Sequence, residues 1–136
     1  MDPASSESIR RVYDAFNRRD WDSVFALLAD DFTWTFDPQG FLTGTYSGGP
    51  EIRRAVEEFV DVWDDFRVEI DGFVDLDANH IGVDGRVVGR GKGSDLPIEL
   101  TETVVWTLRG DEVVEAREYL GTPADLHPVL EAQYAG

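Results

Sequence analysis

"PIELTETVVWTLRGDEVVEAREYL", residues 97–120, is the stretch on which the fold turns. Ile98, Leu100, Val104, Trp106 and Leu108 fall on alternate positions, the period of a strand with one buried face. A polar break at Arg109-Gly110-Asp111 separates them from a second run of the same kind, so the stretch reads as a β-hairpin. With Leu108 opposite Glu112, Trp106 faces Val114, Val104 faces Ala116 and Leu100 faces Leu120. The other face then collects Thr101, Thr103, Thr107, Glu115, Arg117 and Tyr119. A one-residue slip would press Glu115 and Arg117 against the apolar face, so burial selects the first register.

One member of the apolar series is a carboxylate, Glu102, and the chosen register sets it opposite Glu118. Opposed like charges destabilise a sheet, and desolvation adds to the cost. A shared proton would relieve the pair and make it an acid/base dyad. A cation between the two, or a wet pocket mouth, would relieve it as well. Two structural readings stand beside the dyad. Arg86 or Arg90, on the preceding strand, could neutralise Glu102, or a bulge could turn Glu102 outward.

Upstream of the hairpin the pattern is mixed. Asp2-Pro3 suits a helix start, and Ile9, Val12, Tyr13 and Phe16 follow the spacing of one buried helical stripe. Asp20 can cap a second short helix carrying Trp21, Val24, Phe25 and Leu28. "DDFTWTF" reads as a strand, "DPQG" as a turn and "FLTGTY" as a short partner strand. Gly49-Pro50 opens a third helix, whose stripe runs from Ile52 to Trp63. From Asp65 the period changes to two, and strands follow near 66–71, 80–91, 97–109 and 112–120. Thr122-Pro123 begins a C-terminal helix or turn that Pro128 is expected to limit. The chain is therefore α+β, one domain over residues 1–136, with helices packed on a curved sheet.

Composition narrows the functions. The 136 residues include 28 Asp and Glu against 12 Lys and Arg, for a net charge of −16. Such a surface repels phosphate backbones, so nucleic acid is not an expected partner. With no cysteine and two histidines, neither thiolate chemistry nor a conventional zinc site is expected. No apolar run has the length of a membrane span, and "MDPASSESIRR" lacks the order of a signal peptide. A cytoplasmic, membrane-free protein is the expectation. "GRGKGS" at 89–94 has the wrong spacing for a phosphate loop.

Three runs, "VYDAFNRRDWDSVFALLADDFTW", "YSGGPEIRRAVEEFVDVWDDFRVEI" and "VVWTLRGDEVVEAREYL", together resemble the SnoaL-like branch of the nuclear transport factor 2 superfamily. The resemblance implies a cone: a strongly bent, mostly antiparallel sheet wrapped around a long helix, with two further N-terminal helices and a pocket at the open end. It also implies a homodimer formed through the outer sheet face. The superfamily includes polyketide cyclases, ketosteroid isomerase, epoxide hydrolases, dehydratases and noncatalytic adaptors, so fold alone does not settle the chemistry. Carried over position by position, the isomerase phenol falls on Val12, its acid on Val104, and its base near Asp37 after a one-residue shift. That argues against steroid isomerisation.

The expected site is thus a pocket for a small, largely apolar molecule, with Glu102, Glu118 and Asp37 moving protons without a cofactor or metal. Tyr13, Trp34, Tyr46, Trp63, Val104, Trp106 and Ala116 are expected to line it. Each has a plainer reading: aromatics at these spacings usually form core, and Asp37-Pro38 often only starts a turn. The alternative function is a noncatalytic ligand-binding or scaffold homodimer. Gly82, Gly85, Gly89 and Gly91 on one strand would either let the sheet bend or leave room for a ligand.

Overall fold

The structure is a computed structural model that describes residues 3–40 and 42–134, the first three by backbone alone. Asp2, the expected first N-cap, and Phe41, the expected start of a strand, lie outside them. In chain order the elements are α1 (Pro3–Asn17), α2 (Trp21–Leu27), β1 (Leu28–Phe36), β2 (Gly44–Ser47) and α3 (Gly49–Val60). Then follow β3 (Trp63–Asp75), β4 (His80–Gly91), β5 (Pro97–Arg109), β6 (Glu112–Leu120) and α4 (Pro123–Tyr134). The six strands form one sheet in the order β2-β1-β6-β5-β4-β3. Every pairing is antiparallel except β1 with β6.

The N-terminal helices form where the apolar stripes and the Asp20 cap predict, except that Leu28, expected on the second helix, opens β1 instead. Ile9, Val12, Tyr13 and Ala15 of α1 are buried. Asp20 caps α2, accepting from the Ser23 backbone N–H at 3.3 Å and the Ser23 hydroxyl at 2.6 Å. The end of α1 also protects the outermost strand: the Asn17 amide exchanges two 2.9 Å bonds with the Val68 backbone, as a neighbouring strand would. The Arg19 guanidinium donates to the Phe66 carbonyl beside it.

Among the described residues β2 begins only at Gly44, and larger departures from the sequence reading concern α3, α4 and the β5–β6 pairing. α3 buries Ile52, Val56 and Val60 and stops there, so Trp63 belongs to β3 rather than to the helix stripe. Asp65, at φ +54°, and a bulge between Asp64 and Arg67 turn the chain from helix direction into strand direction. α4 runs straight past Pro128 to Tyr134. It also lies on the outer sheet face, away from α1 and α3. His127 Nε2 donates to Asp84 Oδ1 and Oδ2 at 2.9 and 2.8 Å, and Thr103 donates to Asp84 Oδ1 at 2.6 Å.

The β5–β6 register is the third difference. The turn is the two-residue Gly110-Asp111, with Arg109 opposite Glu112 and Gly110 at φ +64°. A tighter turn alone would move the register by one residue and reverse both faces of β6. A bulge between Thr107 and Leu108 moves it by one more, so the faces are restored. Trp106 therefore faces Ala116, Val104 faces Glu118 and Glu102 faces Leu120. The apolar face survives, but every expected pair on it is displaced by two positions.

Candidate active site

Between α1, α3 and the concave sheet face lies a cavity. About 80 Å³ of it is open to the centres of water-sized spheres. One water needs roughly 10–15 Å³ by that measure, so the space holds several waters or a small organic group. The wall is mostly aromatic and aliphatic; its charged residues are Glu102 and Glu118, and Tyr13 adds a phenol.

β5 and β6 bring the two carboxyls together. Glu118 is not directly opposite Glu102 but diagonal to it, beside Val104. Long side chains reach across that diagonal, and the two carboxyl groups are hydrogen-bonded to one another. Glu102 is 4% exposed. Burial, then the charge of Glu118, then the hydrogen bond to it raise the Glu102 pKa well above the ordinary glutamate value. Burial also raises Glu118, while bonds from the Asp37 backbone N–H and from Glu102 oppose the rise. The pair therefore holds on to a proton that isolated glutamates would release; Glu102 is the deeper partner and Glu118 the more exposed one.

The arginine partners considered for Glu102 point elsewhere. Residue 102 faces Gly85 across the β4–β5 ladder. Arg86, on the outer face, bonds Asp71 at 3.1 Å and Glu69 at 2.9 Å, and Arg90 lies 3.6 Å from Asp95. The outward-turning bulge does not occur at Glu102 either.

Tyr13 reaches the cavity from α1. Its hydroxyl accepts from Trp106 Nε1 at 3.1 Å, and the rings meet edge to face at 5.7 Å. The Trp106 bond leaves the phenol O–H free to donate. Burial and the neighbouring Glu102 raise the phenol pKa, against the Trp106 hydrogen bond. Trp34 also lines the space, and its buried Nε1 has no hydrogen-bond partner among the described residues.

Of the ten residues expected at the site, Glu102, Glu118, Tyr13, Trp34, Val104 and Trp106 line the cavity. Tyr46, Trp63 and Ala116 do not. Tyr46 packs edge-on to Phe36, Trp63 packs on Phe59, and Ala116 lies within the sheet between Trp34 and Trp106. Asp37 is also outside the lining. Its carboxylate accepts from the backbone N–H of Gln39 at 2.8 Å and of Leu120 at 2.9 Å, so it holds the rim together.

The sequence reading missed other wall residues, notably Phe16, Phe36 and Gly40. Phe16 belongs to the same helical stripe as Tyr13, a signal that was available. Gly40 had none: a Cβ there would stand 3.1 Å from Glu118 Oε1, a proximity that only the folded loop creates.

A SnoaL-like domain family matches residues 9–116, which includes Glu102 but stops short of Glu118 and α4. No curated protein matches the chain. Among solved structures, a nuclear transport factor 2-like protein of unknown function from Burkholderia pseudomallei superposes with a TM-score of 0.75 at 25% identity, over 93% of this chain and 97% of the other. A ketosteroid isomerase-like hypothetical protein from Catenulispora acidiphila, in complex with trimethylamine, gives 0.73 at 18% identity over 88% and 86%. A putative isomerase from Bacillus subtilis gives 0.74 at 15% identity over 100% and 96%.

Proposed function

The chain belongs to the SnoaL-like domain family, and from that premise we propose that its cavity performs proton transfer on a small, largely apolar molecule, such as a carbonyl compound, without a cofactor. The observation that carries this reading is the hydrogen-bonded Glu102–Glu118 pair, buried at Glu102 and half-buried at Glu118, on the wall of an otherwise apolar cavity. Split carboxyl pKa values give an acid and a base in one place. Glu118, the carboxylate, takes a proton from carbon next to a carbonyl. The Tyr13 O–H donates to the oxygen on which negative charge collects, and Glu102 holds the dyad's own proton. Return of the abstracted proton to a different carbon completes an isomerisation, and its return to the same carbon is exchange.

Asp37 acts in this scheme through position. It fixes the loop after β1, and its backbone N–H donates to Glu118 Oε1 at 3.2 Å. A second reading is noncatalytic capture of a metabolite in the same cavity. One neighbour, at 18% identity, is described in complex with the small molecule trimethylamine. In either case the expected homodimer would have to accommodate α4 on the outer sheet face.

The test is deuterium uptake into a panel of small ketones and cyclic enones in D2O, followed by NMR, together with NMR titration of the side-chain carboxyls. Glu118→Gln is expected to lower uptake by about 10²–10⁴-fold and to change the titration of Glu102. Binding without uptake in the wild type would select the noncatalytic reading. Carboxyls that titrate normally and independently would remove the dyad.

A further inference from the structure

The cavity also has a charge preference, and this inference rests on the reading of Glu102 and Glu118 as a proton-sharing pair. With one proton between them, the two carboxyls carry one negative charge. No arginine or lysine lines the wall among the described residues. Among the described residues the charge is answered by the Asp37 backbone N–H on Glu118 and by the proton shared with Glu102. The rest of the wall is rich in aromatic rings. Trp34 stacks on Phe36 at 5.2 Å and meets Trp106 at 5.9 Å. Ring faces carry negative electrostatic potential and attract cations. Carboxylate and rings therefore favour the same kind of guest.

We propose that the cavity binds a small organic cation of the alkylated ammonium class, its methyl groups against Trp34 and Trp106 and its charge on the Glu102–Glu118 pair. The space suits such a group: about 80 Å³ open to water centres admits a few heavy atoms. An alkali or alkaline-earth ion would surrender its hydration shell to mostly apolar walls, whereas an alkylammonium is weakly hydrated and presents carbon. An anion would meet an uncompensated negative charge. A neutral guest of equal shape would fill the space and leave that charge unanswered.

Occupancy by a fixed cation makes ionisation of both carboxyls easier, so binding expels the shared proton and tightens as pH rises. The other groups facing the pair are the Tyr13 phenol from α1 and Asp37 from the loop after β1. Gly85 opposite Glu102, and Val104 and Leu120 beside the pair, add no charge.

The experiment is isothermal titration calorimetry of the full chain with choline chloride and with dimethylbutanol, its neutral carbon isostere, at constant ionic strength. Constant ionic strength controls for the acidic surface. The wild type is expected to prefer choline by at least about tenfold, with affinity rising with pH and with proton release seen as a heat that depends on the buffer. Glu102→Gln and Glu118→Gln are expected to lose the pH dependence, while the surface charge stays nearly the same. Equal affinities, no binding of choline, or a pH dependence retained in both variants would overturn the proposal. If the carboxyls titrate as a coupled pair while choline shows no preference, the cation inference fails and proton transfer stands. If they titrate independently, both fail.

Discussion

At Glu102, a single side chain links burial, protonation and stability. Its folded pKa is raised by burial and by Glu118, so the native state binds a proton that the unfolded chain releases at ordinary glutamate pKa. The native state is then favoured by this group below the unfolded pKa, and the advantage is lost as pH rises through the folded pKa. Glu102→Gln keeps the shape and removes the titration. Urea unfolding between about pH 4 and 8 should therefore show the variant gaining stability relative to wild type as pH rises. A constant difference across that range would mean that Glu102 titrates alike in the folded and unfolded chains. Nothing in the sequence near residue 102 fixes this behaviour. It comes first from burial in the folded core and then from residue 118, on another strand.

At the scale of elements, the sheet depends on places where strands depart from regular pairing. β3 bulges between Ile70 and Gly72, and a Cβ on Gly85 of β4 would stand 2.7 Å from the Glu69 carbonyl oxygen. Only a residue without a side chain admits that approach, so the bending role considered for the β4 glycines has a specific cause here. Gly85→Ala is expected to cost about 1–3 kcal/mol, the usual penalty of overpacking, read as a lower urea midpoint. α4 depends on a different device, the His127–Asp84–Thr103 cluster joining it to β4 and β5. His127→Ala leaves the buried Asp84 with Thr103 as its remaining partner among the hydrogen bonds described. The expected cost is about 1–3 kcal/mol. Hydrogen exchange should show faster opening in α4 than in β5; uniform acceleration would mean that α4 does not open separately.

For the whole molecule the dominant electrostatic fact is the net charge of −16. Twelve basic residues face 28 acidic ones, and pairs such as Arg86–Asp71 and Arg109–Asp31 neutralise only part of the excess. Self-repulsion opposes the compact state, and salt screens it. The urea midpoint is therefore expected to rise with NaCl between about 0.02 and 0.5 M. A falling midpoint would show that the surface ion pairs outweigh the repulsion. No helix among the described residues is long and apolar enough to cross a membrane.

The sequence by itself determined the element order, the α+β class, the family and the apolar faces of the strands. The elements and faces depend on local periodicity, turn residues and caps that neighbouring positions carry, and the family on the likeness of whole runs of sequence. It also singled out Glu102, because a carboxylate in an apolar alternation stands out without a fold. Tertiary structure alone decided what faces what. The turn at Gly110-Asp111 and the bulge beside Leu108 each move the β5–β6 register by one residue. Their effects on side-chain direction cancel while the pairing shifts by two. Periodicity reports the face and is blind to an even shift, so the sequence showed that Glu118 shares the face of Glu102 but gave the wrong partner. Asp37 and Gly40 belong to the same lesson: their contacts with Leu120 and Glu118 span about eighty residues of chain. Only long-range packing creates such contacts, and the site is made of them.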